Sequence, residues 1–216
     1  MSCLVRIDEL VLDQHGSLSP EDECYYLFEY TAHKKTNYSR GNRLIINCKK
    51  PMDRQGKPEW GYKQNAIREI ARELGPCLPA VIDFARATVI PVPPSKIRAH
   101  PAYDDRVLQI LQNACPPGSD IRELLACRED REAAHESDHN RPSVAEIQAN
   151  YYLNPSVDAV VREKVIIFDD VITAGSHYKA CRNFIESRFP GRTIAGVFAA
   201  RRVIPVMPPV EDFPYF

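Results

Sequence analysis

A chain of 216 residues with 28 Lys and Arg against 29 Asp and Glu is long enough to bury one substantial core, and it carries no net field that would gather nucleic acid or an anionic membrane. No apolar run approaches the roughly 20 residues of a membrane span, and the first residues lack a charged-then-apolar leader pattern, so a cytoplasmic protein is expected. The seven cysteines are odd in number and never fall as Cys-x-x-Cys, which reads as free thiols in a reducing compartment. His135 and His139 have the i, i+4 spacing of helical metal ligands, but no third ligand stands at a usual distance and the surroundings are those of a solvated loop.

In chain order, residues 24–30 and 44–48 are β-favouring runs separated by a polar stretch with Gly41. They are expected to pair antiparallel as an N-terminal β extension over residues 1–60, with residues 61–216 forming the rest of one compact unit. Residues 51–60 are rich in turn formers. Residues 62–74 then predict a helix with Tyr62, Ala66, Ile67, Ile70, Ala71 and Leu74 inward and Lys63, Arg68, Glu69, Arg72 and Glu73 outward; Gly75-Pro76 ends it. Trp60 reads as a packing anchor before that helix.

Residues 87–91 are an apolar strand that runs into a proline-stiffened turn, Val92-Pro93-Pro94-Ser95-Lys96, presenting a hydroxyl and a cation, with Arg98 just beyond. Residues 103–111 predict a helix carrying Asp104 and Asp105 in its first turn, where the helix dipole favours them. Residues 119–127 are expected to form another. From 128 to 148 the chain is highly charged and almost devoid of apolar side chains before Val144, a composition that suits a mobile lid and cannot pack a core. Arg128, Arg131, His135, His139 and Arg141 are its candidate contacts to a ligand.

The most informative stretch is Val165-Ile166-Ile167-Phe168-Asp169-Asp170-Val171-Ile172-Thr173-Ala174-Gly175-Ser176-His177. Its apolar run suits a central strand covered on both faces, with the two carboxylates at its end. The short side chains that follow let several backbone N–H groups turn toward one point ahead of a helix beginning near His177, a concavity suited to phosphate. Two acids beside it can accept hydrogen bonds from sugar hydroxyls. There is no Asp-x-Asp after the strand and no Gly-x-x-x-x-Gly-Lys-Ser/Thr, which argues against an aspartyl phosphate enzyme and a Walker loop. Beyond it, Tyr178, Cys181, Phe184, Ile185 and Phe189 form a helical stripe, residues 193–200 a buried strand, and residues 203–216 an extended proline-containing tail.

This run resembles the 5-phosphoribosyl-1-pyrophosphate (PRPP) motif of type I phosphoribosyltransferases, and the Val-Pro-Val-Pro-type run at 89–94 is similar to the ComF-like branch. The resemblance implies a doubly wound α/β fold with a mostly parallel sheet and a variable hood, here an N-terminal antiparallel β extension. It implies that Asp169 and Asp170 bind the ribose hydroxyls and meet Mg²⁺ indirectly, through those hydroxyls or water. Thr173, Ala174, Gly175 and Ser176 would bind the 5′-phosphate, Ser95 and Lys96 the pyrophosphate, and Arg128 and Arg131 would act from the lid. His177 stands where the family usually has Ser, Thr, Ala or Arg.

The implied reaction is transfer of the phosphoribosyl group from PRPP-Mg²⁺ to a nitrogen acceptor, carried out by a homodimer, with Asp169, Asp170, Lys96, Arg128 and Arg131 as the catalytic set. Thr173 stands where enzymes for 6-oxopurines have a general-base Asp, which disfavours that acceptor class. The alternative is a regulator that senses PRPP without turnover, or an accessory protein in DNA handling.

Overall fold

The computed structural model describes residues 4–130, 142–157 and 160–205. Its main sheet has six strands: β1 (Val5–Arg6), β2 (Glu23–Thr31), β3 (Ala87–Pro91), β4 (Asp120–Ile121), β7 (Lys164–Ile172) and β8 (Thr193–Val203), in the order β1-β2-β8-β7-β3-β4. Every neighbouring pair is parallel except β1 with β2. Two short strands, β5 (Leu125–Cys127) and β6 (Tyr151–Leu153), pair antiparallel with each other and bracket the charged segment between them.

Helices cover both faces, as parallel strands require. On one face α1 (Arg40–Cys48), α2 (Trp60–Leu74) and α3 (Arg106–Ala114) pack with Ile166 and Phe168 of β7; on the other, α4 (Val144–Ala149) and α5 (Ser176–Arg188) pack with Val165 and Ile167. The α/β, mostly parallel architecture expected from the alternation of elements is therefore present.

Several expectations are corrected. Residues 44–48 are helical: α1 is capped by Ser39, whose side chain accepts from Asn42 N–H, and buries Leu44, Ile45 and Cys48 at helical spacing. The β propensity of Ile45 and Ile46 loses to that amphipathic burial. The antiparallel N-terminal pair is β1 with β2, and β2 itself joins the main sheet beside β8. Helix α1 lies so close on β2 that a Cβ at Gly41 would stand 2.0 Å from the Glu29 carbonyl oxygen.

Residues 119–127 form β4 and β5, not a helix. Thr88 Oγ1 donates to Asp120 at 2.7 Å and Arg122 N–H to the Val89 carbonyl at 2.9 Å, so the segment is drawn to the sheet edge. Helix α2 does end at Leu74, with Gly75 as its C-cap as expected, and the chain continues as a 3₁₀ turn, Gly75–Ala80. On α2 the expected roles of two residues are reversed, since Tyr62 is exposed and Lys63 is buried. Cys24, Cys48, Cys115, Cys127 and Cys181 are free thiols.

Candidate functional site

Strands β3 and β7 end side by side at the C-terminal edge of the sheet, where parallel α/β folds place their ligands. Pro91 is in register with Phe168, and Val92 N–H donates to the Phe168 carbonyl at 2.8 Å. The turn with Ser95 and Lys96 thus leaves β3 beside the point at which β7 reaches Asp169. The strand does not stop at the acids. It continues through Ile172, paired with β8 as far as Arg201, and the small-residue turn follows.

That turn is built on Gly175, which caps α5 with φ of 86°, a left-handed conformation that favours glycine. A Cβ at Gly175 would also lie 2.9 Å from Leu18 Cδ2. Leu18 belongs to a strap, residues 15–22, that lies against the turn. The strap's His15 Nδ1–H donates to the Thr173 carbonyl, Ser17 N–H donates to the Ala174 carbonyl at 2.9 Å, and the Ser17 and Ser176 hydroxyls are 2.9 Å apart. Buried Asp22 anchors the strap's end, accepting from Ser19 N–H at 2.8 Å, from Lys179 Nζ at 2.7 Å and from Arg182. With the carbonyls of 173 and 174 held from the strap side, nothing among the described residues accepts from the N–H groups of Thr173 and Ala174. Those amides stand just ahead of the α5 N-terminus, where the helix dipole favours an anion. His15 is fully buried; burial drives its pKa down, with the Arg201 and Arg202 charges adding to that, against the hydrogen bond to Thr173.

The two acids differ. Asp170 is buried and both its oxygens are engaged: Oδ2 accepts from Arg106 Nε at 2.6 Å and Oδ1 lies 3.2 Å from Lys49 Nζ. Burial opposes its ionisation, but Arg106 and Lys49 outweigh that and hold its carboxyl well below the usual range. Asp169 is only partly buried, and its Oδ1 accepts from Asp170 N–H at 2.8 Å. Burial and the adjoining Asp170 carboxylate push Asp169 upward. Its second oxygen has no partner among the described residues, so it is the acid free to accept from a ligand.

Arg106 extends the network. Its Nη1 donates to Asp104 at 2.7 Å, and the same Asp104 oxygen accepts from Lys63 Nζ at 2.6 Å. Lys63 also donates to the Cys48 carbonyl at 3.0 Å and the Lys50 carbonyl at 2.8 Å, the two groups flanking Lys49. An ammonium has three N–H donors, and here each has an acceptor, which explains how Lys63 is buried on a helix face read as polar.

Lys96 and Arg98 line a separate cavity of about 510 Å³ together with Pro93, Pro94, Tyr103 and Tyr152. No residue of the 169–176 run lines it. Arg98 is paired with Glu123. Arg128 stacks 5.5 Å from the centre of the Tyr152 ring, with its backbone N–H on Asn150 Oδ1 at 3.1 Å. Arg131, His135, His139 and Arg141, and most of the charged segment, lie outside the described residues. The structure therefore joins Asp169, Asp170 and the 173–176 turn into one locale, with the Ser95 turn beside it and the Lys96 side chain in the adjoining cavity.

Sequence reasoning missed Lys49, Lys63, Arg106, His15 and Ser17. Lys63 carried one signal, a lysine among apolar residues near the start of an amphipathic helix. The others had none, since each acquires its role from a segment distant in sequence. Compared with known protein families and with curated proteins, the chain matches none. No helix among the described residues is long and apolar enough to cross a membrane.

Proposed function

We propose that the protein binds PRPP at the end of β7 and transfers its 5-phosphoribosyl group to a nitrogen acceptor with release of pyrophosphate. The observation that carries this reading is the adjacency of Asp169, which has an open carboxylate oxygen, to a turn with αL Gly175 and two unused amides at a helix N-terminus. A ribose 5-phosphate has hydroxyls for the first and a dianion for the second. In the reaction the C1–O bond to pyrophosphate breaks as the acceptor nitrogen lone pair bonds C1, through an oxocarbenium-like transition state. The protein's part is positioning, support of the departing charge and exclusion of water.

Asp169 orients the ribose, the turn holds the 5′-phosphate, and Ser95, Lys96 and the arginines at 128 and 131 are the candidates for the pyrophosphate. Mg²⁺ enters with PRPP as its counter-ion and offsets the diphosphate charge. Asp169 would meet that metal indirectly, through the ribose hydroxyls or water.

A second reading is a PRPP sensor without turnover. It is favoured by Asp170, whose two oxygens are occupied by Arg106 and Lys49. Calorimetry with PRPP and Mg²⁺ tests both readings at their common step: Asp169→Asn removes a charged acceptor worth about 1.5–3 kcal/mol, so affinity should fall by about tenfold or more. Unchanged affinity in the folded variant removes the assignment. Pyrophosphate release across a panel of nucleobases and amines separates the readings, since turnover with any acceptor identifies an enzyme and silence with all of them favours the sensor.

A further inference from the structure

The contacts around Asp170 close into a ring. Lys63 grips the carbonyls on either side of Lys49 and donates to Asp104; Asp104 accepts from Arg106; Arg106 donates to Asp170; and Asp170 meets the Lys49 ammonium. The ring holds three cations, Lys49, Lys63 and Arg106, and two carboxylates, Asp104 and Asp170. One positive charge is left over within the ring, and the Asp169 carboxylate beside it offsets that charge when ionised.

The cations are not equivalent. Lys63 has a side chain 1 % exposed with all donors engaged, and Arg106 makes contacts of 2.6 and 2.7 Å to two acids. Lys49 is 28 % exposed and touches Asp170 at 3.2 Å, and its charge also acts on the neighbouring Asp169. Its backbone is fixed by Lys63, while its ammonium has N–H groups left to donate. Asp170 does not depend on it alone, because Arg106 already supplies a close charged partner.

We propose that Lys49 is an anion-binding residue of this site, taking the diphosphate end of the ligand, with Lys63 as the residue that positions it. The inference rests on the PRPP reading and extends it to a residue outside the motif. An ammonium with N–H groups left to donate can meet a phosphate oxygen while keeping its contact to Asp170.

The test uses the full chain with two probes, Mg²⁺-pyrophosphate and ribose 5-phosphate, titrated by calorimetry into the parent, Lys49→Gln and Lys49→Arg, with thermal melts of each. A charge-assisted hydrogen bond sets the expected loss for Lys49→Gln at about tenfold or more in pyrophosphate affinity, with ribose 5-phosphate affinity retained and Lys49→Arg recovering much of the difference. Equal pyrophosphate binding by parent and Lys49→Gln overturns the proposal while ribose 5-phosphate binding keeps the PRPP reading alive. Parallel loss of both probes makes Lys49 a structural partner of Asp170 and also overturns it. If the parent binds neither probe, the PRPP reading itself fails and the proposal falls with it.

Discussion

The two sides of β7 at its C-terminal end are built from opposite materials. On the α5 side the site is backbone: a left-handed glycine, small side chains, and a strap that engages two carbonyls while leaving amides open. On the α1–α3 side it is a closed ring of buried charge. A backbone cradle tolerates little change in shape but much in chemistry. A buried ion network is the reverse: it can be replaced as a whole by apolar groups at small cost, yet removing one member strands the others.

The largest expected effect comes from breaking the ring at its most buried member. Lys63→Met leaves Asp104 and two carbonyls short of a donor and should cost about 3–5 kcal/mol, read as a fall in urea midpoint. Adding Asp104→Leu should recover part of that loss. If the single and double variants are equally unstable, the ring does not act as a unit.

A smaller loss is expected on the backbone side. Gly175→Ala forces a side chain into a left-handed position and against Leu18, which should cost about 1–3 kcal/mol and weaken ribose 5-phosphate binding in the same variant. Full stability with normal ligand binding would show that the turn is not held as described.

The smallest effect is a difference in pH response. His15 has its folded-state pKa lowered from 6.5, so the neutral ring is the folded form. Its contribution is complete above 6.5 and is lost as pH falls below that value. Asp170, lowered from 3.8, contributes fully above 3.8 and loses its share only below it. Thermal melts should therefore show the strap side weakening first on acidification. His15→Gln, which can still donate to the Thr173 carbonyl, should flatten the slope just below 6.5. An unchanged slope would place that titration elsewhere.

How much of this was legible follows from the same contrast. The cradle lies in one continuous run, so spacing alone exposed Asp169, the turn and the start of α5. The central strands β3, β7 and β8 announced themselves through unbroken apolar character. The ring could not be read that way: Lys63 and Asp104 are 41 residues apart and Arg106 and Asp170 are 64 apart. Lys63 was assigned to the solvent face because a periodicity argument ranks a lysine by type and cannot see three acceptors waiting inside. Residues 44–48 failed for a related reason, since propensity favoured a strand while the docking of α1 on β2 and α2 decided otherwise.

The strand order also bears on how the chain is made. β8 lies between β2 and β7, eight of its positions in register with β2 across separations of about 170 residues. During synthesis the N-terminal strands have no neighbour on that side until residue 203 has emerged, so the sheet cannot close progressively and its central seam forms last. Long-range parallel pairing of this kind makes for slow folding and leaves strand edges exposed meanwhile. The β2 edge, with its run of tyrosines at 25, 26 and 30, is accordingly the surface that a nascent chain has most need to keep from other chains.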